Sequence, residues 1–432
     1  MKQLFFPLAA LLVAALPAHA QLAERAAALR NNKALAGAHT GICIYDPVAG
    51  KYLYQYQDNK YFLPASNTKI FTTYTALTLL GDSVPAFRYQ LTADTLYVQG
   101  TADISFLNPL FPQQQAFAWL RAAGKPIALV PAINEDQPMG PGWSWEDYET
   151  YYQPERNEWP MYGNMVTFYH RWKADSIAPA FFNQAPILTG VDNTLKEATP
   201  GRLLHSNQFY VHYPERNNNA TEVQVPFITG SVQDLAVRLA DTLHVGVTVT
   251  ATHDMSAAAV FYSRPVDEVL RTMMYESDDG MAEHMLMAAS SHLLDTISTA
   301  KVIDYMLRHQ LNNLPQDPHW VDGSGLSRYN LFTPRDIVTV LQKLYAGFGA
   351  QRIYKIFPTA GKGTLSNYYA GMENAIYAKT GSFGNCFNLS GYLVTKKGRR
   401  LVFSVMVNNH NDKNSNIRAA VQTFLKSIYE KE

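Results

Sequence analysis

Only two of the 432 residues are cysteine, Cys43 and Cys386. That excludes a four-cysteine zinc centre and a disulfide-rich scaffold. The two thiols bridge only if the fold brings them together, and isolated cysteines in strand-like sequence more often serve as small core residues. Net charge is also missing: 36 Lys+Arg balance 36 Asp+Glu, which removes the electrostatic case for a nucleic-acid partner. No H-E-x-x-H occurs, so a zinc hydrolase is not expected, and no G-x-S-x-G occurs, which argues against an α/β-hydrolase. Neither a metal nor a cofactor is expected. The apolar run from Leu4 to Leu16 is too short for a comfortable membrane span. With Lys2 before it and Ala18-His19-Ala20 after it, residues 1–20 read as a secretory signal, with the mature chain starting at Gln21. The expectation is a protein exported to the periplasm or otherwise to the cell envelope, with no transmembrane span after signal removal; an uncleaved anchor is the alternative.

What is present is apolar material in quantity. The chain is 47% hydrophobic and 12% aromatic, enough to bury a large core in two or three domains. Residues 22–35 predict a helix, 41–47 and 51–56 a strand pair, and 70–81 a second helix, from the recurrence of Ile70, Tyr74, Leu77 and Leu80 before Gly81. Mixed patterning follows: strands near 87–99, 126–130, 208–213, 222–228 and 246–252, and helices over 113–123 and 231–243. Residues 150–206 show little periodicity. Helices return at 265–276, 280–294, 298–311 and 334–346. Strands at 375–382, 389–395 and 401–408 and a helix over 415–430 close the chain. The pattern predicts an α+β fold: an antiparallel sheet flanked by helices, built from 21–85 and 263–432, and split by an inserted α+β region over 86–262 of one or two small domains.

The chemistry centres on Leu63-Pro64-Ala65-Ser66-Asn67-Thr68-Lys69. Pro64 suits the turn before a helix, so Ser66 is expected to open one, where free N–H groups favour a developing anion. Lys69 follows one turn later on the same face. A serine needs a base, and a lysine serves as one only when neutral, a form that burial or a neighbouring cation favours. Taken alone, Ser66 is more often a helix cap and Lys69 a solvated residue. The same four-residue pattern recurs at Ser298-Thr299-Ala300-Lys301. Ser277-Asp278-Asp279 alone reads as a helix cap, Lys379-Thr380-Gly381 as an ordinary strand end, and Asp322 to Arg328 as a surface loop.

Taken in order, Ser66-x-x-Lys69, Ser277-Asp278-Asp279 and Lys379-Thr380-Gly381 resemble the motifs of the serine enzymes that react with penicillin. The separation of 211 residues (277 − 66) between the first two exceeds what a compact β-lactamase needs. Together with Asp322-Gly323-Ser324-Gly325-Leu326-Ser327-Arg328 and Gly140-Pro141-Gly142-Trp143-Ser144-Trp145, it is similar to the class C low-molecular-mass penicillin-binding proteins, D-alanyl-D-alanine carboxypeptidases and endopeptidases of peptidoglycan. That resemblance implies the serine β-lactamase/penicillin-binding-protein-like transpeptidase fold. It also implies roles for individual residues. Ser66 attacks the carbonyl of the penultimate D-alanine, neutral Lys69 takes its proton, and Ser277 relays a proton to the leaving amine. Lys379 and Thr380 hold the substrate carboxylate, Gly381 admits the extended peptide beside its strand, and the N–H groups of Ser66 and Ser382 form the oxyanion hole. Implied partners are peptidoglycan stem peptides, with β-lactams as acylating inhibitors. The copy at Ser298 falls out of the family's order and is set aside. One departure stands out: Asp279 takes the place of the usual asparagine among the substrate-binding residues. An ionised aspartate accepts hydrogen bonds but donates none, and it can hold Lys69 charged. Two further readings therefore remain open: a catalytically impaired peptidoglycan-binding protein, and a β-lactamase or esterase of the same superfamily.

Overall fold

The computed structural model describes residues 18–171, 174–185, 187–214 and 221–432. Most of the expected signal sequence, residues 1–17, lies outside them. The helix Ala18–Arg30 runs through the proposed cleavage point.

A five-stranded antiparallel sheet organises the molecule, in the order Ile376–Phe383, Cys386–Val394, Arg400–Asn408, His39–Asp46, Lys51–Tyr56. Its period-two alternation sorts side chains onto two faces. Ile42, Ile44, Phe403, Val405 and Val407 join one core with Leu22, Ala26 and Leu29 of the first helix and with Ile417, Val421 and Leu425 of the C-terminal helix Asn414–Lys431. Cys43, Tyr392, Val402 and Met406 join the other core with the helices Lys69–Leu79, Val266–Glu276, Asp279–Leu294 and Pro334–Phe348. Both cysteines are buried and free, as small core residues.

The helix expected over 70–81 spans Lys69–Leu79, but it is buried from Lys69 to Leu77 rather than along one stripe. Two of its buried threonines find carbonyl partners: Thr72 Oγ1 donates to Gly323 across the fold (2.6 Å) and Thr75 Oγ1 to Phe71 within the helix (3.0 Å). The helix expected over 22–35 is shorter at its C-terminal end, stopping at Arg30 before a separate turn at Lys33–Leu35 capped by Asn32. That expected over 298–311 is helical over Thr299–Tyr305 and then widens into one π turn, Met306–Gln310.

A second five-stranded sheet, Val247–Val249, Ile127–Leu129, Leu96–Gly100, Ser83–Leu91, Ala259–Pro265, packs against the helices Gln115–Ala122 and Val232–Leu243. Ser83–Leu91 and Ala259–Pro265 pair with each other and carry the chain out of the first body and back. The expected divisions at 85/86 and 262/263 fall inside these two strands. Two three-stranded sheets complete the region: Ile187–Val191, Phe209–Tyr213, Thr199–Arg202, and Thr221–Pro226, Met165–Arg171, Ala174–Ala178. No helix of the described residues is long and apolar enough to cross a membrane.

Candidate active site

Ser66 does not open the α-helix as expected. It sits in a single 3-10 turn, Ala65–Thr68, directly before it. The turn is forced: Pro64 is helical in backbone while Ala65 takes a left-handed φ of +46°. Side-chain amides from the sheet clamp its entrance. Asn388 Nδ2 donates to the carbonyls of Leu63 (2.9 Å) and Pro64 (2.8 Å), and Asn408 Oδ1 accepts from Leu63 N–H (2.7 Å). Asn67 Nδ2 ties the turn to the edge strand through the Lys379 carbonyl (3.0 Å). Asn388 and Asn408 belong to no motif read from the sequence, and Asn67 stands at an unassigned position of Ser66-x-x-Lys69; each acts on a backbone distant in the chain.

The strand's period places Lys379 and Gly381 on the same side as Tyr377, toward the helical core. A Cβ at Gly381 would lie 2.5 Å from the Pro64 carbonyl oxygen. The backbone that needs this glycine is therefore the protein's own Ser66 turn, a different reason from the expected approach of substrate. Gly325 is pinned in the same way, since its Cβ would stand 2.0 Å from the Ala65 carbonyl oxygen.

Lys69 is wholly buried. Its Nζ donates to Ser66 Oγ at 3.0 Å and to the Ser324 carbonyl at 2.9 Å, and it forms an ion pair with Asp279 Oδ1. The charged neighbour that touches Lys69 is thus a carboxylate. Lys379 lies near Lys69 without touching it, and donates to Ser277 Oγ (2.8 Å) and to the Thr380 carbonyl (2.9 Å). Burial, with Lys69 nearby, holds the Lys379 amine well below the usual lysine range. Burial also pushes the Asp279 carboxyl up to about 6, although Lys69 pulls the other way. Ser277 closes the helix Val266–Glu276 in a left-handed conformation, φ +58°. Asp278 caps the next helix by accepting from Met281 N–H (2.7 Å). The cap reading of this triplet and its place in the site are both realised, by different residues.

A cavity of about 640 Å³ opens over these groups. Ser66, Ser277, Asp279 and Ser382 line it, while Lys69, Lys379, Thr380 and Gly381 lie behind the lining. Leu110, Ser144, Asp147, Tyr151, Tyr152, Gln153 and Gln224 form the facing wall, so the second region of the chain supplies more than a third of the cleft's lining.

The loop 321–328 supports the Ser66 turn from below through two buried carboxylates. Asp322 accepts from Gly325 N–H (2.9 Å), Ser327 N–H (2.6 Å), Asn330 Nδ2 (2.7 Å) and Trp143 Nε1 (3.0 Å). Glu283, one turn after Asp279, accepts from Gly323 N–H (2.9 Å) and Ser324 N–H (2.7 Å) and pairs with Arg156 (3.4 Å). Burial, reinforced by Asp322, pushes Glu283 up to about 7. Its spacing of four from Asp279 was a readable signal, because both face one side of the helix. Arg156 was not readable, coming as it does from a stretch without periodicity.

The second S-x-x-K pattern forms no pair. Ser298 is buried and its N–H donates to Ser290 Oγ (2.9 Å), while Lys301 pairs with Glu135 at the surface (2.5 Å).

A buried lysine on a serine hydroxyl, facing a second serine and lysine across one cavity, is the layout of a serine hydrolase that works through an acyl-enzyme. Residues 20–176 and 231–428 match the D-Ala-D-Ala carboxypeptidase 3 (S13) family, and the chain belongs to it. It is thus a serine-type carboxypeptidase among the low-molecular-mass class C penicillin-binding proteins. The D-alanyl-D-alanine carboxypeptidase of Actinomadura sp. (strain R39) is 26% identical over 449 residues, covering 90% of this chain and 81% of that protein. D-alanyl-D-alanine carboxypeptidase DacB of Haemophilus influenzae is 26% identical over 183 residues, covering 39% of this chain, and the match spans only 37% of that relative's length. Among solved structures, penicillin-binding protein 4 of Haemophilus influenzae superposes with a TM-score of 0.75 at 19% identity, over 95% of this chain and 99% of that one. The likeness shows a shared fold, the one implied by the sequence motifs.

Proposed function

We propose that the protein is an exported serine D-alanyl-D-alanine carboxypeptidase/endopeptidase that trims or cleaves peptidoglycan stem peptides through an acyl-enzyme on Ser66. The observation that carries this is the double contact in one cleft: Lys69 Nζ 3.0 Å from Ser66 Oγ, and Lys379 Nζ 2.8 Å from Ser277 Oγ. In this reading Ser66 attacks the penultimate D-alanine carbonyl and Lys69 receives the hydroxyl proton. The leaving amine is protonated by way of Ser277, whose hydroxyl Lys379 polarises from behind. Lys379 and Thr380 supply positive charge and a hydroxyl for the terminal carboxylate. The N–H groups of Ser66 and Ser382 stabilise the oxyanion, each donor worth roughly 3 kcal/mol. The strand carrying Lys379, Thr380, Gly381 and Ser382 is a sheet edge, suited to receiving an extended peptide. The inserted region, entered and left through the paired strands Ser83–Leu91 and Ala259–Pro265, serves as one wall of the cleft. The bound β-lactam in a Haemophilus influenzae penicillin-binding protein 4 crystal supports β-lactams as acylating inhibitors here.

The test is release of D-alanine from defined monomeric muropeptides and cleavage of cross-linked ones by the purified protein, with fluorescent-penicillin labelling in parallel. Product from either substrate together with labelling is the expected result. A second reading has one observation behind it: the Lys69–Asp279 ion pair, if permanent, denies Ser66 its base and leaves a peptidoglycan-binding protein. Binding of muropeptides with neither turnover nor labelling is the outcome that selects it.

A further inference from the structure

Lys69 has three hydrogen-bond neighbours and three ammonium protons to give them. One goes to Ser66 Oγ, the atom whose proton Lys69 must accept under the function proposed above, on which this inference rests. A lone pair toward Ser66 appears only if a proton leaves Nζ. The Ser324 carbonyl has no site for a transferable proton, and Ser66 is the proton source. Asp279 is the remaining neighbour.

We infer that Asp279 works as the neutral acid: it takes one proton from Lys69 and carries it on Oδ2, so that Lys69 is the free amine and Asp279 offers an acceptor and a donor, as the asparagine usual at this motif position would. Oδ1 continues to accept from Lys69. Oδ2, which Lys69 does not hold, belongs to a residue lining the cavity and donates its O–H to a substrate carbonyl, as an amide N–H₂ would. Moving this proton turns a buried ion pair into a buried neutral pair without changing the net charge. Withdrawal from water favours the neutral form.

The proton balance closes. As the Ser66 Oγ–carbon bond forms, the hydroxyl proton passes to Lys69 Nζ. When the carbon–nitrogen bond breaks, that proton goes to the leaving amine by way of Ser277. Water then attacks the acyl-enzyme, loses a proton to Lys69, and the proton returns to Ser66 Oγ as the acid departs. Asp279 keeps its own proton throughout.

The groups facing Asp279 are Lys69 from the helix Lys69–Leu79, Asp278 beside it, Lys379 from the edge strand and Tyr152 from the facing wall, with Asp147, Tyr151, Glu276 and Arg328 also lining the cavity. The pair titrates as a unit. Below about pH 6 a further proton gives acid and ammonium together, and the base is lost. The net-neutral pair above that value is the active form.

The experiment follows penicillin acylation of the native chain, Asp279→Asn and Asp279→Ala from pH 5 to 9, with an infrared difference spectrum across the Asp279→Asn substitution. The native rate is expected to fall about tenfold per pH unit below the limb near 6 and to hold level above it. Asp279→Asn should stay within about tenfold of native at pH 7 with that limb displaced, whereas Asp279→Ala should lose about a hundredfold or more. A carboxylic-acid carbonyl band should vanish in Asp279→Asn. Labelling without the limb and without the band, or a rate that rises only in the alkaline range, overturns the proton placement and leaves Ser66 acylation intact. No labelling at any pH overturns both.

Discussion

The chain contains the same four-residue pattern twice, and the two copies have opposite surroundings. At Ser66–Lys69 the amine is fully buried and meets a hydroxyl, a carbonyl and a carboxylate. At Ser298–Lys301 the amine is half-exposed on the surface, paired with Glu135, and the serine is turned into a helix-start contact with Ser290. Spacing alone puts a serine and a lysine on one helical face in either place. The difference lies in what the rest of the fold brings. The first copy sits between a sheet edge, the start of the helix Asp279–Leu294 and the loop 321–328, and the second lies on a helix with water on its lysine side. A nucleophile–base pair is a property of burial and of partners far away in sequence.

The sharpest way to break this comparison is to remove each serine. Ser66→Ala should abolish fluorescent-penicillin labelling and muropeptide turnover while leaving folding intact, since its hydroxyl lines an open cavity. Ser298→Ala should label at the native rate. Equal loss in both variants, or persistent labelling of Ser66→Ala, would place the acylated residue elsewhere.

The next effect tests whether distant support makes the first copy what it is. Arg156 pairs with Glu283, and Glu283 holds the two N–H groups of the peptide segment whose Ser324 carbonyl receives Lys69. Arg156→Met leaves a buried carboxylate without its cation. The expected cost in urea unfolding is about 3 kcal/mol at pH 8, with a smaller loss at pH 5, where Glu283 takes up a proton. Acylation should slow by about tenfold, because the loop that orients Lys69 loosens. Unchanged labelling in a destabilised variant would reduce Arg156 to a purely structural role.

These supports explain what was legible in the sequence and what was not. The central sheet and the helices around it were readable, because Ile42, Ile44, Phe403 and Val405 alternate and Val266, Val269, Leu270 and Met273 recur at helical spacing. The strands Met165–Arg171, Ala174–Ala178, Ile187–Val191, Thr199–Arg202 and Ala259–Pro265 were not read, nor was the helix Ala350–Ile356. Thr199–Arg202 contains proline and glycine and buries only Gly201 and Arg202, and Ile187–Val191 leaves four of its five residues exposed, so neither carries an apolar buried face to mark it. At the site, Ser66, Lys69, Ser277, Asp279, Lys379, Thr380, Gly381 and Ser382 converge as their motifs implied, though Gly381 serves the Ser66 turn. Asn388, Asn408 and Arg156 were invisible: each holds a backbone or a charge that only the fold brings near.

A smaller and opposite effect is expected at Glu158, a buried carboxyl of the second region. Its side chain accepts from Ala132 N–H (3.3 Å), and burial pushes it up to about 7 from an ordinary 4.5. A carboxyl raised on folding binds its proton more tightly in the native state, so the stability it confers is complete at low pH and declines as pH climbs from 4.5 through 7. Glu158→Gln removes that decline. Relative to native, the variant should gain about 2 kcal/mol more at pH 8 than at pH 5 in urea unfolding. Labelling should not change, since Glu158 does not line the cavity. A pH-independent difference would mean that Glu158 ionises normally.

The smallest effect returns to the second copy. Lys301 and Glu135 lie 2.5 Å apart with side chains 55% and 44% exposed. At that exposure water and salt screen the pair, and a double-mutant cycle of Lys301→Ala and Glu135→Ala should show little or no coupling, and less still in high salt. Lys69 cannot be treated the same way. Lys69→Ala would strand Asp279 among buried neighbours, and its cost in stability would be mixed with the loss of labelling. If the Lys301–Glu135 coupling instead reached the several kcal/mol of a buried pair, exposure would not be what separates the two copies, and the contrast between them would have to rest on partner identity alone.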